Sequence, residues 1–455
     1  MAVDRSRLPP LGPERPFTFP EIRRTTLASG LRVWTIEHRA VPLVSFLLLL
    51  PVGSAADPAS HPGLASLTGD MLDEGCGELN ALDVHEALGR MGGHLDTEVG
   101  PDATLLTLTA LARHADRGAA LLADMVAVPR LEQRDFDRVR ELRLNRLVQL
   151  RDLPPAQAER AFASRLYPNH PYGHAAIGTE GSLRALTLRD VRAFHASEYV
   201  PARATVIAGG DATHDELAAI AERAFARWAV DGPAAPPPAV DAAPLPRTDR
   251  LAMLHRAGAP QSELRIGHVG LPRSSPDYHA VLVLNMVLGG QFVSRINMNL
   301  REDKGYTYGA RTVFDFRRGP GPFVLQASVQ SDATVDAVLE SLAELRDIRG
   351  ARPVTRAELE TGRAALTRGY PRSFETAEQI SRSAAQLALY DLPDDYFTTF
   401  VPTVLALDEQ AITRAAERHI DPSRLIVIIV GDRETVGPSL ARLELGTASE
   451  LTAEP

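Results

Sequence analysis

The chain has 455 residues, of which 44% are hydrophobic and 24% charged, enough for a sizeable core spread over about two to four domains of roughly 150 residues. Its single cysteine, Cys76, excludes a disulfide-stapled scaffold and a metal site built from several sulfurs, and is interpreted as a packing residue. The 49 Lys and Arg against 58 Asp and Glu give a net charge of −9, the wrong sign for general nucleic-acid binding.

The N-terminal segment has no pattern typical of export or membrane insertion. Residues 1–20 are rich in proline and charge and lack the apolar stretch of a secretory signal. The most apolar run, 41–53, is interrupted by Pro42 and Pro51 and is shorter than the roughly 20 residues that cross a bilayer. The sequence therefore predicts an N-terminal extension over 1–20 and a cytoplasmic protein without membrane attachment.

The first half, residues 21–229, mixes strand and helix patterns. Alternating or continuous aliphatic and β-branched residues predict strands, whereas apolar residues spaced three and four apart predict helices. The predicted strands are 30–37, 43–50 and 104–112. The predicted helices are 61–74, 81–89, 116–128 and 132–151.

A tract rich in proline and alanine, 230–247, separates this half from a second one. Such a composition buries little and is typical of an extended linker. In the second half, 248–445, the predicted strands are 261–271, 312–316 and 323–330. The predicted helices there are 278–288, 335–345, 356–369 and 377–389, and residues 446–455 are predicted to form a flexible tail.

The two halves share a sequence pattern near their ends. A proline, an arginine, a run of aliphatic residues and a Gly-Asp pair recur at an offset of 221 residues, as Pro201, Arg203, Gly210, Asp211 and Pro422, Arg424, Gly431, Asp432. This repeat predicts two homologous domains. Because strands and helices are grouped rather than strictly alternating, the predicted class is α+β, with a mixed or antiparallel sheet and helices on one face of each domain.

Common catalytic motifs do not match. His85-Glu86 begins like a His-Glu-x-x-His zinc helix, but residue 89 is Gly89. His170 and His174 have helical spacing, yet Pro171 and Gly173 between them break a helix, so a structural loop is predicted there.

Several short motifs, taken in chain order from about residue 25 to 435, resemble the pitrilysin/insulinase family of zinc metallopeptidases, the inverzincins. They are Gly63-Leu64-Ala65, Gly92-Gly93, His170-Pro171-Tyr172-Gly173, Tyr199-Val200-Pro201 and the stretch from Leu300 to Tyr308. The resemblance implies the short two-domain type of member, in which one polypeptide forms half of a clamshell.

Peptide-cutting members of this family hold zinc with an inverted His-x-x-Glu-His motif, whose Glu is the general base, and a further Glu downstream. The aligned positions here are Ser66, Gly69 and Asp70, and no carboxylate lies between Glu141 and Asp152 where the last ligand is expected. The resemblance therefore implies that this chain binds no metal or other cofactor and does not cleave peptides alone.

An acidic cluster follows the lost motif. Asp70 with Asp73 and Glu74 would suit Mg²⁺ or Ca²⁺ better than zinc, and a solvated acidic helix end is the simpler interpretation.

The C-terminal half keeps a different family feature. Members place an Arg and a Tyr there that reach the substrate at the zinc site, and the matching residues are Arg301 and Tyr308. A guanidinium can hold a carbonyl or carboxylate, and a phenol can donate to an oxyanion. The alternative is that Arg301 pairs with a surface carboxylate and Tyr308 is an ordinary strand residue.

The resemblance also implies a substrate-binding edge strand at Gly93, His94, Leu95 and Asp96, where an extended peptide would add to the sheet. A charged, glycine-containing edge that discourages aggregation is the alternative.

The resulting hypothesis is a zinc-less subunit of a two-chain metalloendopeptidase. Its partners would be a homologous zinc-bearing subunit, in a heterodimer, and a peptide; zinc is expected in the partner, and neither nucleic acid nor membrane is expected to bind. Two alternatives remain open, a catalytically silent structural protein comparable to the core subunits of respiratory complexes, and a peptide-binding module. The residues also leave open whether the partner is a zinc-bearing homologue or a second copy of this chain.

Overall fold

The computed structural model describes residues 17–229, 240 and 249–452, and in these residues the chain forms two six-stranded sheets and a short two-stranded ribbon. Residues 1–16 of the predicted extension and, apart from Val240, the predicted linker 230–247 lie outside the described residues. The described strands are β1 Arg23–Thr26, β2 Arg32–Glu37, β3 Leu43–Leu50, β4 Gly75–Cys76, β5 Leu79–Asn80, β6 His94–Val99, β7 Thr104–Leu111, β8 Thr205–Gly210, β9 Leu251–His255, β10 Gln261–Val269, β11 Thr307–Phe314, β12 Pro322–Gln330, β13 Ile426–Gly431 and β14 Ser449–Leu451.

Helices connect and cover these strands. They are α1 Leu64–Asp70, α2 Ala81–Arg90, α3 Ala115–Ala127, α4 Gln133–Arg151, α5 Pro154–Leu166, α6 Glu180–Ala185, α7 Leu188–Glu198, α8 His214–Phe225, α9 Tyr278–Leu288, α10 Arg295–Asn297, α11 Thr334–Asp347, α12 Arg356–Thr367, α13 Ala377–Tyr390, α14 Tyr396–Ala406, α15 Glu409–His419 and α16 Arg433–Val436. A π-helical turn, Met298–Asp303, continues α10. None of the described helices is both long enough and apolar enough to cross a membrane.

The two sheets confirm the predicted duplication. The first has the order β1-β2-β8-β3-β7-β6, and the second, counted from its opposite edge, has the order β14-β9-β13-β10-β12-β11. In each, the strand of the repeated motif runs parallel to one neighbour and antiparallel to the other: β8 lies between β2 and β3, and β13 between β9 and β10. Val206 and Val427, which are related by the offset of the repeat, occupy equivalent places in these two strands.

The outermost strand at one edge breaks this symmetry. β1 comes from the start of the described chain and pairs antiparallel with β2, whereas β14 comes from its end and pairs parallel with β9. Residues 446–455 were predicted as a flexible tail, but Ser449–Leu451 forms β14 because its backbone completes the exposed edge of β9. The predicted extension also ends earlier than residue 20, since Phe17 and Phe19 stack on Phe374 and Phe397 respectively.

Both faces of each sheet are covered, whereas the sequence predicted helices on one face only. In β3, Phe46 and Leu48 belong to the core under the N-terminal helices, while Leu47 and Leu49 belong to a core shared with the C-terminal half. Burial on both sides explains why this strand is a continuous apolar run rather than an alternating one.

Each half lends a helix to the other half's sheet. α13 packs on β3 and β8, and α5 packs on β10 and β13. Glycines make these approaches possible: a Cβ at Gly209 would lie 2.8 Å from Ser381 of α13, and one at Gly267 would lie 2.8 Å from Phe162 of α5. The two domains therefore share a core, and the fold class is the predicted α+β.

Candidate functional site

The helix that carries the lost zinc motif, α1, is fixed at its first turn by a buried carboxylate. Asp57 accepts hydrogen bonds from the backbone N–H groups of Gly63 and Ala65, each at 2.7 Å. His174 Nε2 lies 3.0 Å from the same carboxylate, which ties the loop containing His170 and His174 to α1. Backbone N–H groups at a helix start have no partner within the helix, so the carboxylate satisfies them. The predicted structural role of this loop is thus confirmed.

An arginine joins the two positions where the family's histidines are expected. Arg143 of α4 donates from Nε to Asp70 Oδ2 at 2.7 Å and from Nη2 to Ser66 Oγ at 2.5 Å. Its Nη1 lies 3.5 Å from the carbonyl oxygen of Ile177. The Arg143 side chain is only 9% exposed, while that of Asp70 is 46% exposed. The guanidinium therefore lies between α1 and α4 and contacts both positions that align with the family's histidines.

This donor set does not fit zinc. Zinc prefers imidazole nitrogen, thiolate sulfur and carboxylate oxygen, whereas Ser66, Asp70 and Arg143 supply one hydroxyl, one carboxylate already paired with a cation, and the cation itself. Across the described residues, no group of three or more His, Cys, Asp or Glu is placed to hold a metal ion.

The position of the general base is also closed. A Cβ at Gly69 would lie 2.7 Å from Cγ2 of Val99, which projects from β6 onto α1. A glutamate at this position would therefore need Val99 to move before its carboxylate could enter.

The acidic residues after α1 are either ion-paired or buried, and they do not converge on one point as metal ligands would. Glu74 pairs with Arg138 of α4. Burial raises the pKa of Asp73 and of Glu74, and the charge of Asp70 adds to the rise at Asp73. These groups carry their negative charge less readily than exposed carboxylates do, which disfavours a cation site built from them.

The predicted substrate strand and the lost zinc motif border one cavity of about 570 Å³. Ser66, Asp70, Leu95 and Asp96 line it, together with Arg143. Within the described chain, every lining residue belongs to the N-terminal half.

β6 is the edge strand of its sheet in the described chain, as predicted. Gly93 and His94 lie at its start beside the cavity rather than in its lining. Asp96, besides bordering the cavity, pairs with Arg382 of α13 at 2.5 Å. The edge position is thus established, whereas peptide binding there remains a prediction.

Arg301 and Tyr308 lie in the C-terminal half and do not border this cavity. Arg301 sits in the π-helical turn, where its guanidinium lies over the ring of Phe292 at 4.6 Å and Nε is 3.2 Å from Glu302. Tyr308 is 89% exposed on β11, the edge strand equivalent to β6. Phe292 is itself 55% exposed, so Phe292 and Tyr308 both present apolar surface to solvent.

Two backbone irregularities set the position of this pair. The pairing of β11 with β12 shifts register between Thr307 and Ala310, so Tyr308 stands in a β-bulge. Bulges and π-helical turns re-aim side chains and recur at functional sites. Asn297 fixes the turn to the strand, because its Oδ1 accepts from Ala310 N at 3.2 Å and its Nδ2 donates to Phe292 O at 2.7 Å.

Arg143 is the site residue that the sequence analysis missed. It lies on the buried stripe of α4 with Phe136, Val139 and Leu147, at helical spacing. A charged residue at an apolar position of an amphipathic helix requires a buried partner, and that signal was present in the sequence.

Sequence comparison places these features among known proteins. A sequence model of the insulinase family, peptidase family M16, matches residues 32–180, and a model described as the peptidase M16 inactive domain matches residues 185–366. The chain is 27% identical over 346 residues to an uncharacterized zinc protease of Mycobacterium leprae, a match that covers 76% of this chain and 77% of that protein. It is 22% identical over 408 residues to a Helicobacter pylori protein named as a non-peptidase homolog, YmxG, covering 88% and 91%.

Solved structures share the fold. A peptidase M16 inactive domain from Pseudomonas fluorescens superposes with a TM-score of 0.83 at 23% identity, covering 90% of this chain and 98% of that one. A protease from Helicobacter pylori superposes with a TM-score of 0.83 at 18% identity, covering 90% and 99%.

Proposed function

Because this chain belongs to the insulinase family, peptidase family M16, and an arginine joins the positions of its lost zinc motif, we propose that it is the non-catalytic subunit of a two-chain zinc metalloendopeptidase. The partner is a homologous chain with an intact His-x-x-Glu-His motif, and the zinc belongs to that partner. The contact of Arg143 with both Ser66 and Asp70 carries the proposal, because it removes metal binding while keeping α1 and α4 together.

In this proposal the contribution of the chain to catalysis comes from Arg301 and Tyr308. Tyr308 is 89% exposed, so its phenol is accessible to a partner or a substrate. In the pair, Tyr308 donates to the oxyanion of the tetrahedral intermediate and Arg301 holds a carbonyl or carboxylate of the peptide. Phe292 orients the guanidinium by cation–π contact.

The edge strand β6 accepts an extended segment of the same peptide. Its outer side faces no further strand in the described residues, and Leu95 and Asp96 present side chains to the neighbouring cavity. Backbone hydrogen bonds to Gly93, His94, Leu95 and Asp96 would give affinity, and the cavity would select side chains.

Co-purification with a homologous His-x-x-Glu-His chain tests the proposal. We expect zinc-dependent cleavage of an internally quenched peptide by the pair and none by this chain alone. Arg301→Ala and Tyr308→Phe should each lower kcat of the pair by about 10-fold or more, since loss of one oxyanion donor costs about 10²-fold or more in well-characterised cases. Arg311→Ala, an exposed arginine on the same strand, is the matched control.

The outcomes separate the parts of the proposal. Zinc-dependent cleavage by this chain alone would contradict a non-catalytic role. A fully active pair carrying both substitutions would contradict the roles of Arg301 and Tyr308. Peptide affinity without any partner would favour the peptide-binding alternative.

The role of β6 has its own assay. Leu95→Lys should raise KM of the pair without changing kcat, because the side chain borders the cavity and not the partner's metal. Leu82→Lys, which alters a leucine 67% exposed on α2, is the control and should change neither constant.

A further inference from the structure

A second cavity lies between the two halves of the chain, away from the lost zinc motif. Its volume is about 540 Å³, within the roughly 300–1,000 Å³ of small-molecule sites. Its walls include the β6–β7 turn around Asp102, the β11–β12 turn around Asp315, and the end of α13. We call it the interdomain cavity.

The walls of the interdomain cavity are fixed by hydrogen bonds between the halves. Asp102 accepts from the backbone N–H of Arg318 at 2.7 Å and from the hydroxyl of Tyr172 at 2.6 Å. The same hydroxyl accepts from the backbone N–H of Gly319 at 3.1 Å. These bonds tie the walls contributed by the two halves to each other.

Most charged groups of the lining are paired. Arg317 pairs with Asp315 at 2.6 Å, Arg382 pairs with Glu98 at 3.1 Å and with carboxylates outside the cavity, and Asp102 has the donors just described. Of the described lining residues, this leaves one carboxylate, Asp102, and one guanidinium, Arg273, without an ion-pair partner.

Arg273 is 5% exposed, and its guanidinium has no hydrogen bond to any residue of the described chain. Its backbone is held in place, since its N–H donates to Arg317 O at 2.8 Å. Tyrosine rings surround the guanidinium, with Tyr278 at 3.6 Å, Tyr396 at 4.8 Å and Tyr390 at 5.8 Å from its central carbon. These contacts stabilise the cation through its faces but leave its N–H groups without acceptors.

Arg273 forms no direct ion pair with any residue of the described chain. Burial raises the pKa of Tyr390 to about 12, so its phenol stays neutral near pH 7. Burial lowers the pKa of nearby His279, and the charge of Arg273 lowers it further. A buried guanidinium keeps its proton, so its N–H groups need acceptors from water or from a ligand that enters the cavity.

The rest of the lining is largely apolar. Leu49, Leu105, Phe314, Phe316 and Leu389 border the cavity together with Arg273. A guanidinium without acceptors in the described chain, placed beside these apolar side chains, matches a ligand with a carboxylate and an apolar body.

From this arrangement we propose that the interdomain cavity binds an apolar monocarboxylate, with the carboxylate on Arg273 and the apolar part against Leu105, Phe314 and Leu389. Two sources share this chemistry, a fatty acid and the free C-terminus of a short apolar peptide. The inference does not depend on the proposed peptidase subunit, because neither Arg143 nor Tyr308 borders this cavity.

Titration calorimetry on the full chain tests the site with two carboxylates, decanoate and N-acetyl-Leu-Leu, and with their amides. We expect at least one carboxylate to bind and its amide to bind about 10-fold more weakly or not at all. Preference between the two carboxylates identifies the source. Failure of both carboxylates to bind, or equal binding of acid and amide, would overturn the proposal.

Variants locate the binding. Arg273→Gln should weaken carboxylate binding by about 10-fold or more, while Arg311→Gln, outside the cavity, should leave it unchanged. Should Arg273→Gln fail to fold, Leu389→Trp decides the matter, because the larger side chain fills the cavity and keeps the guanidinium. Binding that survives Leu389→Trp at full affinity would show that the ligand lies elsewhere and would refute the site.

Discussion

Replacement of Arg143 by methionine tests whether its guanidinium links α1 to α4 in place of a metal. Methionine keeps much of the apolar stem but removes the donors to Asp70, Ser66 and Ile177. The Asp70 side chain is 46% exposed and regains water, so its ion pair contributes about 1 kcal/mol, as near-surface pairs do. The hydrogen bond to Ser66 adds about 1 kcal/mol, and the long contact to Ile177 adds little. The expected loss of unfolding free energy is therefore about 2 kcal/mol.

Urea unfolding followed by far-ultraviolet circular dichroism measures this loss, and a double-mutant cycle isolates the ion pair. Arg143→Met and Asp70→Asn should be coupled by about 1 kcal/mol, because each removes the same contact. Arg146→Met is the matched control: this arginine lies on the same helix and borders the same cavity, but its described partner is the neutral Gln149, so we expect a change within about 0.5 kcal/mol. A loss for Arg143→Met no larger than for Arg146→Met would refute the linking role.

Three further predictions concern metal binding, acid stability and the thiol. Ser66→His, Asp70→His and Arg143→Glu combined should create zinc binding, seen as a rise in melting temperature with added zinc that the unchanged chain lacks; equal responses would contradict the assignment of these positions. Burial lowers the pKa of His268 to about 4, so the unfolded state binds the extra proton and stability should fall by roughly 3 kcal/mol as the pH drops from 6.5 to 4. His268→Gln, measured by urea unfolding across that range, should lose this part of the dependence. Burial raises the pKa of Cys76 to about 11, so Ellman's reagent should label it only after unfolding, and rapid labelling of the native chain would be inconsistent with the packing described.

Local pattern predicted much of the secondary structure. The strand predicted at 43–50 is β3, and the helix predicted at 278–288 is α9, because each has a strong apolar pattern bounded by turn residues. α5 was not predicted, since it opens with Pro154 and Pro155, which resemble a loop but also suit the first helical turn. The packing of α5 on the sheet of the other half depends on contacts between residues far apart in sequence, and apolar periodicity gives no information about such contacts.

The predicted helix over 61–74 shows the same limit of local pattern. α1 ends at Asp70, although Met71 and Leu72 remain buried, because the chain turns toward Gly75, whose φ of 138° is open to glycine alone. The apolar spacing therefore predicted the burial of Met71 and Leu72 correctly but predicted too long a helix.

The candidate site was located by alignment to a motif, but the residue that joins its positions, Arg143, lies outside that motif. Ser66, Gly69 and Asp70 indicate only that ligands and base are missing. To identify what replaces them, one must know that α4 lies against α1 and that Arg143, on the buried stripe of α4, reaches both Ser66 and Asp70. The sequence shows that an arginine occupies an apolar position of the helix, but it does not show which residue that arginine pairs with.

Under the proposed non-catalytic role, this replacement removes the metal site while the fold around it is kept. A site of two imidazoles and a carboxylate, emptied of its metal, would leave a buried carboxylate without a cation, which is costly. Here the carboxylate comes from α1 as Asp70 and the cation from α4 as Arg143, so the charges balance within the chain and the two helices stay joined. Val99 fills the space above Gly69, where a base would project. Restoring hydrolysis therefore requires new ligands, removal of the guanidinium and relocation of Val99 together, and a single reversion to histidine or glutamate should restore none of it.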